Sequence, residues 1–401
     1  MTRADADVII AGAGPAGAVA AAAMASRGMR VVLCDRSTFP RDKTCGDALI
    51  ADSLGALDRL GLRARVEERA RASSALDVVT ANGTTTSLPG AIAVLARREL
   101  DEMLVTHAAA CGADLRQVII DAPIVEGDAV TGVTGRTPGG TPITLRAPLT
   151  VLATGANGAA LRAFDPAART EASGTALRAY ATPARDAGGD EPARRACVIA
   201  LDRTLTPGYA WAFPAPGGMM NVGVGLFRGE GMRAAGVNLR ASLQALLDGH
   251  GPIGARFGPF RDATPIAGAP LRTSLTGTAW ARRGLAVVGE AAGTTYAATG
   301  EGIGKAMESA LLLDEIAAAG EDIPGIGVIY GGLLRARYGS RFRAYAVAQQ
   351  WVAFPRFVDY VARRANDSPY IKRRLAEFLS ESELPSRVFS LRGLWRLTTA
   401  R

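Results

Sequence analysis

The segment that most constrains this chain lies between Asp7 and Asp35. It reads Asp-Val-Ile-Ile-Ala, then Gly12-Ala-Gly14-Pro15-Ala16-Gly17, an alanine-rich run to Arg27, Gly28 and Arg30-Val-Val-Leu-Cys-Asp35. An apolar run, a glycine turn, a helical run with a glycine stop and a second apolar run predict a strand–helix–strand unit. Gly12 permits the tight turn, Gly14 lets backbone approach a pyrophosphate, and Gly17 lets helix and strand pack closely. The helix N-terminus then faces the phosphates, and Asp35 is placed to accept hydrogen bonds from an adenosine ribose. The unit predicts dinucleotide binding. Residues 8–26 form a long uncharged, alanine-rich run. A membrane span or signal peptide is rejected there, because glycines and Pro15 interrupt the run and acidic residues precede it.

The 401 residues are 48% hydrophobic, with 47 Gly and 21 Pro, enough for two or three packed domains. Cys34, Cys45, Cys111 and Cys197 form no CxxC pair, and His107 and His250 are the only histidines. No metal centre and no disulfide framework are expected, and a reducing cytoplasm is the default location. Residues 335–401 carry 14 basic against five acidic residues, a net of +9 in a chain of net +8. This C-terminal excess comes without a recognition motif or a basic stripe elsewhere, so nucleic acid is not expected as a partner.

Further along, 91–95 reads as a short strand and 97–111 as a helix with Leu100, Met103, Leu104 and His107 on one face. His107 is read there as a packed or half-exposed helix residue, not a catalyst. Residues 117–153 alternate like hairpin strands and end in a buried strand running into Thr154-Gly155. Residues 165–260 read as polar stretches and short strands. Among them, Tyr209-Ala-Trp211-Ala-Phe213-Pro214 puts three aromatics on one face. Residues 284–293 read as a strand ending at Gly289-Glu290, and Thr299-Gly300-Glu301-Gly302-Ile303-Gly304 opens a helix. From about residue 330 the chain reads as amphipathic helices.

The glycine fingerprint with Asp35, the Arg97 to Asp101 spacing, Ala153-Thr154-Gly155, and Gly289-Glu290 with residues 299–302 together resemble FAD-dependent oxidoreductases of the aromatic-hydroxylase type. Phe39-Pro40-Arg41-Asp42-Lys43-Thr44-Cys45-Gly46-Asp47 and the Tyr209–Pro214 strand resemble the two signature motifs of the geranylgeranyl reductase family. The resemblance implies an α/β fold: a glutathione-reductase-type, Rossmann-like FAD-binding domain, an antiparallel-sheet substrate domain and a C-terminal helical region. The expected division is 1–70, 91–165 and 262–325 for the FAD-binding domain, 71–90 and 166–261 for the substrate domain, and 326–401 for the helical region.

By the same resemblance Gly12, Gly14, Gly17 and Asp35 hold the ADP half, Arg97 lies near the pyrophosphate, and Ala16, Arg36, Thr154 and Gly155 are further cofactor-binding residues. Gly289 and Glu290 hold the ribityl chain, and Gly300, Gly302 and Ile303 present amides to the pyrimidine edge of the isoalloxazine. Lys43 anchors FAD or its own loop. Two positions depart from the family pattern: Glu290 replaces an aspartate, and Ala297 stands where the following loop usually has proline. Cys45 read alone is a small buried residue before a required Gly46. With the motif it becomes a contact near the substrate alkene and the candidate catalytic residue. Gly46, Asp47, Tyr209, Trp211, Phe213 and Pro214 are the candidate substrate-binding residues.

These readings lead to an enzyme that reduces carbon–carbon double bonds of a prenylated or lipidic substrate by hydride transfer from reduced flavin. The alternative is a flavin monooxygenase that hydroxylates or epoxidises a small secondary metabolite. No second glycine-rich nucleotide unit is present, so the external reductant is NAD(P)H binding transiently or a ferredoxin-type carrier. A peripheral membrane contact through the basic C-terminal segment, with Trp351, Phe354, Phe357 and Tyr360, is held level with a simple helical cap.

Overall fold

The computed structural model describes residues 4–168, 171–184, 196–227, 236–275 and 282–380. Its first layer is a five-stranded parallel sheet in the order Leu285–Val287, Leu149–Leu152, Val8–Ala11, Val31–Asp35 and Asp114–Gln117. Every residue of its central strands is buried, as expected for a parallel sheet covered on both faces. Helix Pro15–Ser26 starts with proline in its first turn, where the missing N–H costs nothing. It is almost wholly buried, packed against helices Arg97–Ala110 and Ile303–Ala318, and its run of alanines lets these neighbours approach. A three-stranded antiparallel layer, Ile119–Glu126, Ala129–Arg136 and Pro142–Arg146, is appended to this body.

The second layer is a nine-stranded, largely antiparallel sheet containing Arg71–Val79, Thr85–Val94, Gly174–Pro183, Cys197–Ala200, Gly208–Pro214 and Met220–Phe227. One pair, Cys197–Ala200 with Arg71–Val79, is parallel. It joins segments more than a hundred residues apart, so their direction is set by a long crossover and not by a hairpin. Helices Leu239–Leu247 and Gly251–Phe257 back this sheet, in a stretch that reads from sequence as strands and loops. Asn238 starts the first of them by accepting the Ala241 N–H at 3.1 Å.

Strand Thr85–Val94 begins well before the short strand expected at 91–95 and runs across the 90/91 division drawn from the sequence. Pro89 and Gly90 sit at a bulge where the register with Arg71–Val79 shifts between Ser73 and Ala75. A bulge tolerates the missing proline N–H.

Helix Ile323–Val352 packs on helix Ile303–Ala318 and on strands Leu285–Val287 and Leu149–Leu152 of the first layer, and the helices that follow it, Pro355–Asp367 and Pro369–Leu379, close the molecule against the second sheet. They are tied to it by polar bonds: the Thr80 and Thr84 hydroxyls donate to Asp359 Oδ1 at 2.7 and 2.8 Å, and the Thr86 hydroxyl donates to the Ala362 carbonyl at 3.0 Å. Among the described residues no helix is long and apolar enough to cross a membrane.

Candidate active site

The two sheets and the C-terminal helices enclose one continuous cavity of about 540 Å³. At one end lies the glycine turn. Gly12 has φ +105°, and a Cβ there would fall 2.4 Å from the Ala153 carbonyl oxygen. A Cβ on Gly17 would fall 1.8 Å from the Gly12 carbonyl oxygen, so this glycine serves the packing of turn on helix and does not line the cavity. Gly14 differs. A Cβ there would meet nothing nearer than the Arg41 and Arg97 guanidiniums at 3.7 and 3.8 Å, because the position opens onto the cavity. No side chain caps the helix that starts at Pro15, which leaves its first amides facing the same space.

Arg97 grips Asp101 with two bonds, 2.7 and 2.9 Å, and Arg41 approaches the same carboxylate at 3.2 Å. Two guanidiniums share one fully buried carboxylate, so a net positive charge faces the helix N-terminus. That is an anion site. Asp35 is ordered by the N–H groups of Ala13 and Ser37, both at 2.8 Å to its carboxylate. Thr154 lines the cavity, and its buried hydroxyl has no hydrogen-bond partner among the described residues. A glycine cradle, paired cations and an orphaned hydroxyl together fit a bound dinucleotide.

In the middle of the cavity, the Cys45 loop is held by a buried network. Asn221 Nδ2 donates to the Cys45 carbonyl at 2.8 Å and to Asp47 Oδ2 at 2.7 Å, while its Oδ1 accepts the Trp211 indole N–H at 2.9 Å. The Tyr180 hydroxyl donates to the same Asp47 oxygen, and Arg178 stacks over the Tyr180 ring at 4.3 Å. Asp47 is 1% exposed and has φ +64°, a left-handed backbone held by these partners. Burial pushes its carboxyl up to about 6, against the hydrogen bonds of Tyr180 and Asn221. Burial also pushes the Cys45 thiol up, helped by the Asp47 charge, so the thiol keeps its proton at neutral pH.

Strand Gly208–Pro214 supplies the adjacent wall. Tyr209 and Trp211 meet edge to face at 6.1 Å, and Trp211 and Phe213 lie 6.4 Å apart. The Tyr209 hydroxyl donates to the Thr299 carbonyl, which ties this strand to the loop that opens helix Ile303–Ala318. On that loop, burial pushes the Glu301 carboxyl up to about 8, with repulsion from Asp52 adding to it. Glu290 Oε1 accepts the Arg272 N–H at 3.2 Å, and burial raises its carboxyl while Lys43 opposes the rise.

Beyond Cys45 the cavity becomes apolar. It runs between the second sheet, with Leu76, Leu88 and Ile199, and the C-terminal helices, with Val358, Val361 and Phe378. Phe357 also lines it and packs on Trp351 at 5.1 Å.

Of the residues selected from sequence, Gly12, Gly14, Ala16, Asp35, Arg36, Lys43, Arg97, Thr154, Gly155, Gly289, Glu290, Gly300, Gly302 and Ile303 line this cavity together with Cys45, Gly46, Asp47, Tyr209, Trp211 and Phe213. Gly17 and Pro214 do not. Pro214 ends its strand, where side chains alternate faces, and lies off the aromatic face. His107 is half-buried on its helix, 3.7 Å from the Cys111 sulfur. Sequence reasoning missed Arg41, Tyr180, Arg178 and Asn221. Arg41 stood inside a quoted motif, whereas the other three carry no local signal.

Residues 5–183 match the family model described as an FAD binding domain. Over 362 residues the chain is 30% identical to the menaquinone reductase of Mycobacterium tuberculosis, covering 88% of this chain and 85% of that protein. It is 27% identical over 323 residues to digeranylgeranylglycerophospholipid reductase 1 of Methanococcoides burtonii, covering 78% and 74%. A geranylgeranyl bacteriochlorophyll reductase-like protein of Thermoplasma acidophilum superposes with a TM-score of 0.73 at 20% identity, covering 98% of this chain and 95% of that one. The flavin-dependent brominase Bmp2 does so with 0.75 at 17%, covering 98% of both. At such identities the two structures establish the fold alone.

Proposed function

The chain belongs to the geranylgeranyl reductase family of FAD-dependent oxidoreductases, and on that premise we propose that it saturates a carbon–carbon double bond in a prenylated or lipidic substrate. The observation that supports this reading is the cavity itself, which leads from the glycine turn past Cys45 into an apolar passage. A small polar metabolite would leave such a passage unfilled, whereas a prenyl chain buries apolar surface along its whole length. The names of the two relatives, menaquinone reductase and digeranylgeranylglycerophospholipid reductase, point to the same substrate class.

In this reading Gly14, Arg41 and Arg97 face the pyrophosphate, Asp35 the ribose, and residues 300–303 the pyrimidine edge of FAD. When bound, FAD supplies the hydride. Cys45 holds the proton destined for the second alkene carbon, kept on its sulfur by burial and by the Asp47 charge. Asn221 fixes the Cys45 carbonyl and Trp211 together, so loop and wall are positioned as one unit. The apolar lining excludes water from the reacting carbons. We assign the external reductant to a nicotinamide or a ferredoxin-type carrier. The peripheral membrane contact is assigned to helix Pro355–Asp367 and its N-cap, where Phe354, Tyr360, Arg356 and Arg363 are exposed.

Anaerobic turnover of chemically reduced enzyme with prenyl and aromatic candidates tests the reading. A saturated product formed without oxygen supports it. Product that appears only when oxygen is admitted, and that carries labelled oxygen, replaces it with the monooxygenase alternative.

A further inference from the structure

Against the loop at 300–303 the protein gathers ionisable groups for which hydride and proton delivery to an alkene have no use. The Lys305 ammonium lies 3.1 Å from Asp52 Oδ2 and 2.7 Å from Glu308 Oε2, and the Lys305 and Asp52 side chains are only 4% and 5% exposed. Glu301 Oε1 accepts the Gly304 N–H at 3.1 Å and faces the Ser53 hydroxyl at 3.4 Å. The backbone has been bared for this arrangement: a Cβ on Gly304 would fall 2.1 Å from the Asp52 carboxyl. Of these groups Glu301 borders the cavity.

Charge counting shows what the arrangement demands. Three carboxyls surround one ammonium, which is held between Asp52 and Glu308. Ionising Glu301 as well places a further negative charge in a poorly hydrated pocket, beside Asp52 and close to the Tyr209 hydroxyl. The rings of Tyr296 and Tyr338, 5.9 and 5.8 Å from the ammonium, complete the surroundings. Apart from Lys305, the Ser53 hydroxyl and the amides at the start of helix Ile303–Ala318 favour ionised Glu301.

We propose that Glu301 is the redox-linked proton holder of this enzyme: from its ionised form it takes one proton at the carboxylate when the cofactor receives two electrons, and it releases that proton on reoxidation. The balance is closed. The external two-electron donor is oxidised, the ring is reduced with one proton of its own, and the second proton comes from solvent to a Glu301 oxygen, so no net charge is added to the pocket. Where Glu301 is already protonated it stays so, and one proton accompanies the two electrons. The proposal rests on FAD lying with its pyrimidine edge against residues 300–303. It does not depend on alkene reduction.

The test is the midpoint potential of bound FAD in the intact holoprotein, poised with dithionite and mediator dyes and followed by flavin absorbance from about pH 7 to about pH 9.5. We expect the slope of potential against pH to become twice as steep above the pH at which Glu301 ionises, and Glu301→Gln to keep the shallow slope throughout. A straight line for the native protein, or a steepening that survives in Glu301→Gln, overturns the proposal. If Glu301→Gln does not retain FAD, Asp52→Asn decides. Removing that like charge should move the break to lower pH, and an unmoved break overturns the proposal. No substrate is present, so the result is independent of whether the enzyme proves to be a reductase or a monooxygenase.

Discussion

The two ends of the cavity are built on opposite plans. The glycine turn presents backbone amides, a carboxylate fixed by two N–H groups and a pair of guanidiniums sharing Asp101. The far end is lined by apolar side chains, contributed by the second sheet and by helices arriving almost three hundred residues later. The first plan recognises charge and fixes a cofactor in one pose. The second offers apolar area without directional bonds, which suits chains that differ in length but not in chemistry. Between them stands the Cys45 loop, where Asn221 couples one end to the other.

That contrast is broken most severely at the glycine turn. Gly14→Leu should eliminate retained FAD, seen as loss of visible absorbance, while the melting temperature of the apoprotein changes little, because the new side chain enters open cavity. Gly17→Val should instead prevent folding, because its Cβ is driven into the Gly12 carbonyl. Equal damage from both would show that Gly14, too, serves packing.

At the boundary between the ends, Cys45→Ala should slow anaerobic reoxidation of reduced flavin by substrate about a hundredfold while FAD remains bound. An unchanged rate would reduce Cys45 to a packing residue.

The far end is sharpened by Leu88→Trp, which fills the passage at a cost of about 1–3 kcal/mol in stability. KM for a long prenyl substrate should rise about tenfold, with a short analogue unaffected, because only the long chain loses apolar contacts worth about 1.4 kcal/mol. Parallel losses for both lengths would place the chain elsewhere.

The smallest effect concerns the tie between roof and sheet. Hydrogen bonds from Thr80 and Thr84 hold the Asp359 carboxyl down to about 2, below its value of about 3.9 in an unfolded chain. Its stabilisation is therefore fully present above about pH 4 and is lost as pH falls through about 2. Asp359→Asn should lower the melting temperature by a few degrees at neutral pH and weaken its dependence on pH in that acid window. Identical acid profiles would remove Asp359 from the tie.

The parallel-sheet body was legible because each cue is local. Gly12, Gly14, Gly17 and Asp35 lie within one strand–helix–strand unit, where the spacing of residues fixes the spacing of atoms. Strand Gly208–Pro214 was legible for the same reason, since alternation puts Tyr209, Trp211 and Phe213 on one face without reference to the rest of the chain. Helices Leu239–Leu247 and Gly251–Phe257 were not. They are short, and glycine and proline punctuate the second, so burial against the sheet sustains them where intrinsic propensity is weak. The full length of strand Thr85–Val94 was not legible either, because the bulge that accommodates Pro89 exists only opposite Ser73 and Ala75 of a partner strand.

What the amino-acid order determined by itself is the cofactor end, down to which glycine turns, which opens and which packs, because dihedral freedom and side-chain absence are properties of single residues. What only the tertiary structure decided is the arrangement around Cys45 and beyond. Asp47, Tyr180 and Asn221 are separated by 133 and 174 residues from the first to the others and share one carboxylate oxygen. Residues this far apart meet only after two sheets and a set of helices have packed. A buried polar group is satisfied by whatever that packing brings to it, and the partners leave no mark in the sequence around either one.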